Sequence, residues 1–165
     1  MPYAKSPWIL FLGALLFAAY YVSHTILTMP PLVASHFDAG GTANAFMARD
    51  TYEHFMLFMC LGFPLLLVTF MALVFSYARS MKLPNGNYWL APERIAQTRS
   101  FLIARCAWFG AMLCLMMCWV HRLELHANAL VPPHLSGRQA MAAVLGFFLI
   151  TAGWIFGLMV AFRRP

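Results

Sequence analysis

Apolar residues dominate this chain in four long runs, and polar and turn-forming residues punctuate it between them. The runs cover roughly residues 8–29, 51–77, 101–120 and 140–162. Each approaches or exceeds the ~20 residues that a helix needs to cross a ~30 Å hydrocarbon core. The pattern predicts an all-α integral membrane protein, a bundle of four transmembrane helices forming one domain over residues 1–165. Span one stops at Pro30-Pro31, which cannot continue a helix. Span two opens on Asp50-Thr51-Tyr52-Glu53, a capping-box variant with Asp at the cap and Glu three residues on. Pro64 inside it is expected to kink the helix and free the carbonyl of Cys60. Span three is expected to begin upstream of its apolar core, with Pro92 at the first helical position and Glu93 in the first turn.

Small residues recur along two of the runs. Cys106, Gly110, Cys114 and Cys118 are spaced by four in span three, and Gly153 and Gly157 form a GxxxG in span four with Gly146 and Ala161 near the same line. In lipid, such stripes let helix backbones approach closely, so both are expected to line helix contacts.

Composition sharpens this picture. The chain is 62% hydrophobic and only 10% charged, with mean hydropathy +0.72, whereas soluble domains carry about 25% charged residues. The first run is longer than the ~7–15 residues of a signal-peptide core and reads as a retained span. A net charge of +6 does not point to nucleic acid, because the cations sit at span ends rather than on a soluble patch. Lys5, Arg79, Lys82, Arg94, Arg99, Arg105, Arg163 and Arg164 fall in the tails and in the segment between spans two and three. Only Arg49, Arg122 and Arg138 fall in the other two loops. The positive-inside rule then places both ends and the 79–105 segment in the cytoplasm and the 30–50 and 121–139 loops outside.

Candidate chemistry is sparse. No nucleotide loop, paired carboxylates or Ser-His-Asp arrangement can be assembled, which favours a non-enzymatic protein. All four cysteines lie inside spans without a CxxC, which excludes an exposed redox pair and suits small packing residues. The six histidines, His24, His36, His54, His121, His126 and His134, all fall in the outer half of the expected topology. His24 shares a helix face with Tyr20 and Thr28, and an ionisable group inside a span normally faces a bundle interior or a wet cavity. His121 lies three residues from Cys118 and from Glu124, while His54 lies beside Glu53, Met56 and Cys60. Imidazole with soft sulfur suits copper or zinc, and paired imidazoles suit haem. The alternative is that interfacial histidines are ordinary amphipathic residues. In the outer loop, His36 and Asp38 are candidates for a ligand, while Asp38 with Gly40-Gly41 equally suits a tight turn. In the inner segment Pro84-Asn85-Gly86 marks a turn, Tyr88 and Trp89 suit the headgroup layer, and Arg94, Thr98 and Arg105 share a face suited to anionic lipid.

Two stretches carry a family resemblance. Pro31 to Phe46, with His36, Phe37, Asp38, Gly40 or Gly41 and Asn44 in step, resembles the outer loop of small bacterial membrane proteins of a domain-of-unknown-function family. That family is related to the N-terminal part of SdpI-type immunity proteins. Ala43 stands where Pro is usual and Phe46 where Trp is usual. Leu83 to Leu102 resembles the inner loop of stand-alone members, with Pro84, Asn85, Tyr88-Trp89-Leu90, Ala91-Pro92-Glu93-Arg94 and Thr98 in register. The resemblance implies a four-span protein without established catalytic residues, in a group tied to resistance against a membrane-active peptide and to holding a repressor at the membrane.

The resulting expectation is a binding or protective module of the bacterial inner membrane. Its partners would be the lipid bilayer, a membrane-active peptide outside, and a cytoplasmic partner at the inner loop. Tyr20, His24, His36, Asp38 and Asn44 are the outer ligand-binding candidates, and Tyr88, Trp89, Pro92, Glu93 and Arg94 form the inner motif. The first reading requires no cofactor. The alternative is a redox or metal-handling protein binding copper, zinc or haem through His24, His54, His121 and Cys118.

Overall fold

A computed structural model describes residues 5–78 and 81–163 of the chain. Arg79 and Arg164, two of the cations used to orient the spans, lie outside the described residues. The first helix, α1 (Ser6–Thr25), starts with Pro7 in its first turn and buries Phe11, Ala14, Ala18 and Val22 along one stripe. A turn of 3-10 helix, Ile26–Thr28, carries it to the Pro30-Pro31 stop. The expected outer loop is instead a two-stranded antiparallel hairpin, β1 (Leu32–Phe37) and β2 (Ala43–Ala48). The chain is therefore helical with one added hairpin rather than all-α. Pairing runs from Leu32 opposite Ala48 to Phe37 opposite Ala43, with irregularities at Ser35 and Asn44. Only Val33 in these twelve residues is β-branched, so strand propensity is weak, and tertiary hydrogen bonds rather than local preference hold the strands.

The second apolar run forms α2 (Arg49–Leu57), a turn of π-helix at Phe58–Gly62, and α3 (Phe63–Tyr77). Ala48 occupies the cap of α2 and no side-chain cap bond forms. The expected Asp50 capping box is absent because β2 feeds straight into the helix, with the Arg49 amide donating to the Pro31 carbonyl at 3.0 Å. Pro64 does disturb the ladder as expected. The Phe63 amide reaches back to Phe58, since Pro64 has no N–H to give, and Cys60 is left fully buried in the widened turn.

A single helical turn, α4 (Gly86–Trp89), precedes the long α5 (Ile95–Asn128). Pro92 and Glu93 lie in the turn before α5, not in its first turn, because the chain closes on the Ala91 carbonyl, which accepts from Arg94 and Ile95 at 2.9 Å each. At 34 residues α5 is about 51 Å long, so it outruns a ~30 Å hydrocarbon layer and extends past residue 120 into the outer cap. The last helix, α6, covers Gly137–Arg163.

The core lies where α1 and α3 pack on α5. Cys106, Gly110, Cys114 and Cys118 are all buried there, and the Cys114 thiol donates to the Ala14 carbonyl at 3.3 Å. The first small-residue stripe thus lines helix contacts. The second does not. A Cβ at Gly146, Gly153 or Gly157 meets nothing within 4 Å, and α6 buries only Phe162. Gly146 borders an apolar groove of about 400 Å³ opposite Met112, Met116 and Trp119 of α5, while Phe109 of α5 meets Phe147 and Trp154. Bulky rings hold α6 at a distance, so Gly146 faces an open groove while Gly153 and Gly157 are exposed.

Candidate functional site

Polar side chains converge at the end of the bundle beneath the hairpin. The buried stripe of α1 is flanked by Tyr21 and Thr25, which brings them toward α5. The buried face of α5 continues from Cys118 to His121, and its next turn presents Glu124 and Asn128. Tyr52 projects from the first turns of α2 and is only 1% exposed. His121, with no exposed surface, is the one buried histidine of the six.

The contacts form a continuous chain. Thr25 Oγ1 donates to the Tyr21 carbonyl at 2.6 Å and lies 2.9 Å from His121 Nε2. His121 Nδ1 lies 3.0 Å from the Tyr52 hydroxyl, which also contacts Glu124 Oε2. Tyr21 sets its ring edge-on to the imidazole at 5.6 Å. Buried polar groups survive in such places only when paired, and each side chain of this string has a partner. Chemically, it is a hydrogen-bonded string of three ionisable side chains that ends on an alcohol.

The hairpin closes over it. Asn128 accepts from the Ala34 amide at 2.7 Å and donates to the Ala34 carbonyl at 3.0 Å, mimicking a neighbouring strand, and also donates to the Glu124 carbonyl at 2.9 Å. At the hairpin tip Asp38 Oδ1 accepts from the amides of Gly40 and Thr42, both at 2.9 Å. Gly41 takes φ +85°, and its carbonyl accepts from Leu135 at 2.8 Å. The 130–136 loop therefore docks on the hairpin tip.

The residues singled out by sequence are distributed differently. Tyr20 and His24 stack on each other at 5.5 Å on the exposed face of α1, so His24 does not face the bundle interior. Tyr20 lies half a turn round the helix from Phe11, and the partly buried pair is its neighbours Tyr21 and Thr25. His36 Nδ1 and Asn44 Oδ1 meet at 2.5 Å on the hairpin surface. Asp38 holds the turn. His54 is exposed and its Nδ1 bonds the Asp50 carbonyl at 2.6 Å. Cys118 is buried against the thiols of Cys60 and Cys114. The proposed metal set of His24, His54, His121 and Cys118 is thus not brought together. Both ring nitrogens of His121 are engaged by side-chain oxygens. Among the described residues no three His, Cys, Asp or Glu side chains are arranged to hold a metal ion.

The inner motif is an internal clasp. Asn85, at φ 51°, donates to the carbonyls of Phe162 at 3.3 Å and Arg163 at 2.7 Å, and Trp89 Nε1 donates to Phe162 at 3.1 Å. Together they satisfy carbonyls at the end of α6 that have no helical partner. Arg94 lies over the Tyr88 ring at 3.9 Å, and Thr98 donates to the Trp89 carbonyl at 2.8 Å. Pro92 and Glu93 stay exposed. Sequence reasoning missed Tyr52, Thr25 and Asn128. The signal that existed was the Phe11, Ala14, Ala18 stripe, which marks the inward face of α1 and points to Thr25 rather than His24.

The chain is a mostly helical protein with four helices long and apolar enough to cross a membrane: Ser6–Thr28, Arg49–Tyr77, Ile95–Asn128 and Gly137–Arg163. No protein-family model, curated protein or solved structure matches it.

Proposed function

We propose that this chain is a non-enzymatic protein of the bacterial inner membrane that spans it four times with both ends in the cytoplasm. Its outer cap binds an amphipathic, membrane-active peptide as a protective module. The observation that carries the reading is the state of the hairpin. β1 is clamped to the bundle by Asn128, whereas β2, among the described residues, pairs with β1 alone. An open strand edge offers unpaired backbone groups to an extended peptide. Leu32 at 60% and Phe46 at 49% exposure supply apolar surface for such a peptide, with His36, Asn44 and Asp38 beside them. The likeness of residues 31–46 to the outer loop of a family related to the N-terminal part of SdpI-type proteins agrees with this role.

On the cytoplasmic side, Trp89 is occupied in holding α6 and Arg94 covers the Tyr88 ring, so a partner there would meet Pro92 and Glu93. Deleting the gene is expected to sensitise cells to one or more peptides of a membrane-active panel. Wild-type protein should restore survival and Phe46→Glu should not. Unchanged survival of the deletion strain across the panel would sink the reading.

A further inference from the structure

Counting protons along the string from Thr25 to Glu124 leaves one contact without a proton. The 2.6 Å separation of Thr25 Oγ1 from the Tyr21 carbonyl requires the threonine's own proton. Thr25 therefore accepts from His121 Nε2 at 2.9 Å, and the ring carries a proton there. The contacts of Tyr52 with His121 Nδ1 and with Glu124 Oε2 need one proton each. The tyrosine has one to give. With a neutral imidazole and a carboxylate, one of these contacts would set two lone pairs against each other in a buried place.

We propose that Glu124 and His121 hold one additional proton in common, shared through the Tyr52 hydroxyl. In one form Glu124 is a carboxylic acid donating to Tyr52, and Tyr52 donates to His121 Nδ1. In the other, Glu124 is a carboxylate, Tyr52 donates to it, and His121 is an imidazolium donating to Tyr52. The two forms contain the same atoms. They interconvert when the Glu124 proton passes to the tyrosine oxygen and the tyrosine proton passes to Nδ1, so no external acid or base is needed. A second proton breaks the match, because acid and imidazolium would both donate to Tyr52 and leave its hydroxyl proton without an acceptor.

Among the described residues no other side chain hydrogen-bonds to Tyr52, His121 or the Glu124 carboxyl. From α1, Tyr21 presents its ring edge. From the π turn and α5, Cys60 and Cys118 engage each other, and Arg122 stacks over Trp119 at 5.4 Å. Arg49 donates to the Met29 carbonyl at 3.3 Å. The site takes a proton as its ligand, and this holds whether or not the hairpin binds a peptide.

The test uses the full-length protein in detergent micelles at neutral pH. Infrared difference spectra against Glu124→Gln report a protonated carboxyl, and ¹⁵N spectra against His121→Gln report the imidazole. The expected result is a carboxylic-acid C=O band lost in Glu124→Gln, or a doubly protonated His121, or an exchanging mixture of the two. Glu124→Gln should fold, since its amide donates to Tyr52 as the acid form does. Tyr52→Phe should abolish the shared-proton signature. A carboxylate band alone with a neutral His121 protonated only at Nδ1 would overturn the proposal, because Thr25 would then be donating to Nε2. So would an unchanged signature in Tyr52→Phe.

Discussion

At Gly110 the bundle leaves no room for a methyl group. A Cβ there would lie 2.4 Å from Val68 Cγ2 and 2.9 Å from the Phe11 ring, two side chains that are themselves buried and cannot swing away. Gly110→Ala is expected to cost about 1–3 kcal/mol, the usual penalty for overpacking. Gly153→Ala, where a Cβ meets nothing, should change stability by no more than about 0.5 kcal/mol. Reversible unfolding in mixed micelles measures both, and equal effects would contradict the observed packing. Asn128 is the second residue that carries more than its type suggests. Asn128→Ala leaves the Ala34 amide and carbonyl unpaired, which is expected to cost about 1–3 kcal/mol and to release β1. The sequence made the cysteine stripe legible because small residues every four positions have one obvious use in an apolar helix. It misdirected attention to His24, because a shared face alone does not say which way that face points.

At the scale of elements, the hairpin and the inner turn do the same job at opposite ends, each tying separate helices together. The hairpin tip depends on Gly41, whose φ of +85° is costly for other residues and whose missing Cβ would sit 2.2 Å from the Leu135 carbonyl. Gly41→Ala should separate the tip from the 130–136 loop, seen as at least about tenfold faster exchange of the Leu135 amide. The inner turn clasps α6 through Asn85 and Trp89. The double substitution Asn85→Ala with Trp89→Phe removes all three bonds to the helix end. It is expected to speed proteolysis near the C-terminus several-fold while leaving the α1–α3–α5 core intact. The turn at Pro84-Asn85-Gly86 was legible from its residues. The strands were not, because Ala-rich segments with a single Val carry no local β signal, and what orders them is an asparagine ninety-four residues away.

For the molecule as a whole, the number and approximate bounds of the long apolar helices follow from hydropathy, whereas their unequal packing does not. The α5 helix is a central post against which α1 and α3 are packed, and α6 leans on it through rings and a terminal clasp. Orientation belongs to this scale, since it depends on where the cations fall and not on any one contact. Lys82, Arg94, Arg99 and Arg105 belong to the end that carries the clasp, and Arg99 is tied down there by its 2.9 Å bond to the Ala78 carbonyl. The polar cluster and the hairpin occupy the other end, whose span-flanking cations are Arg49, Arg122 and Arg138. Cations within ~15–20 residues of span ends set the sidedness, so the Asn85 turn should be cytoplasmic and the Gly40 tip external. Single cysteines placed at Asn87 and at Ala39, both exposed, in a background with the four buried cysteines replaced by Ala or Ser, distinguish the sides. A membrane-impermeant maleimide added to intact spheroplasts should label the Ala39 position and reach Asn87 only after lysis. Labelling in the reverse order would put the hairpin in the cytoplasm, where no extracellular peptide could reach β2, yet it would leave the shared proton between Glu124 and His121 untouched.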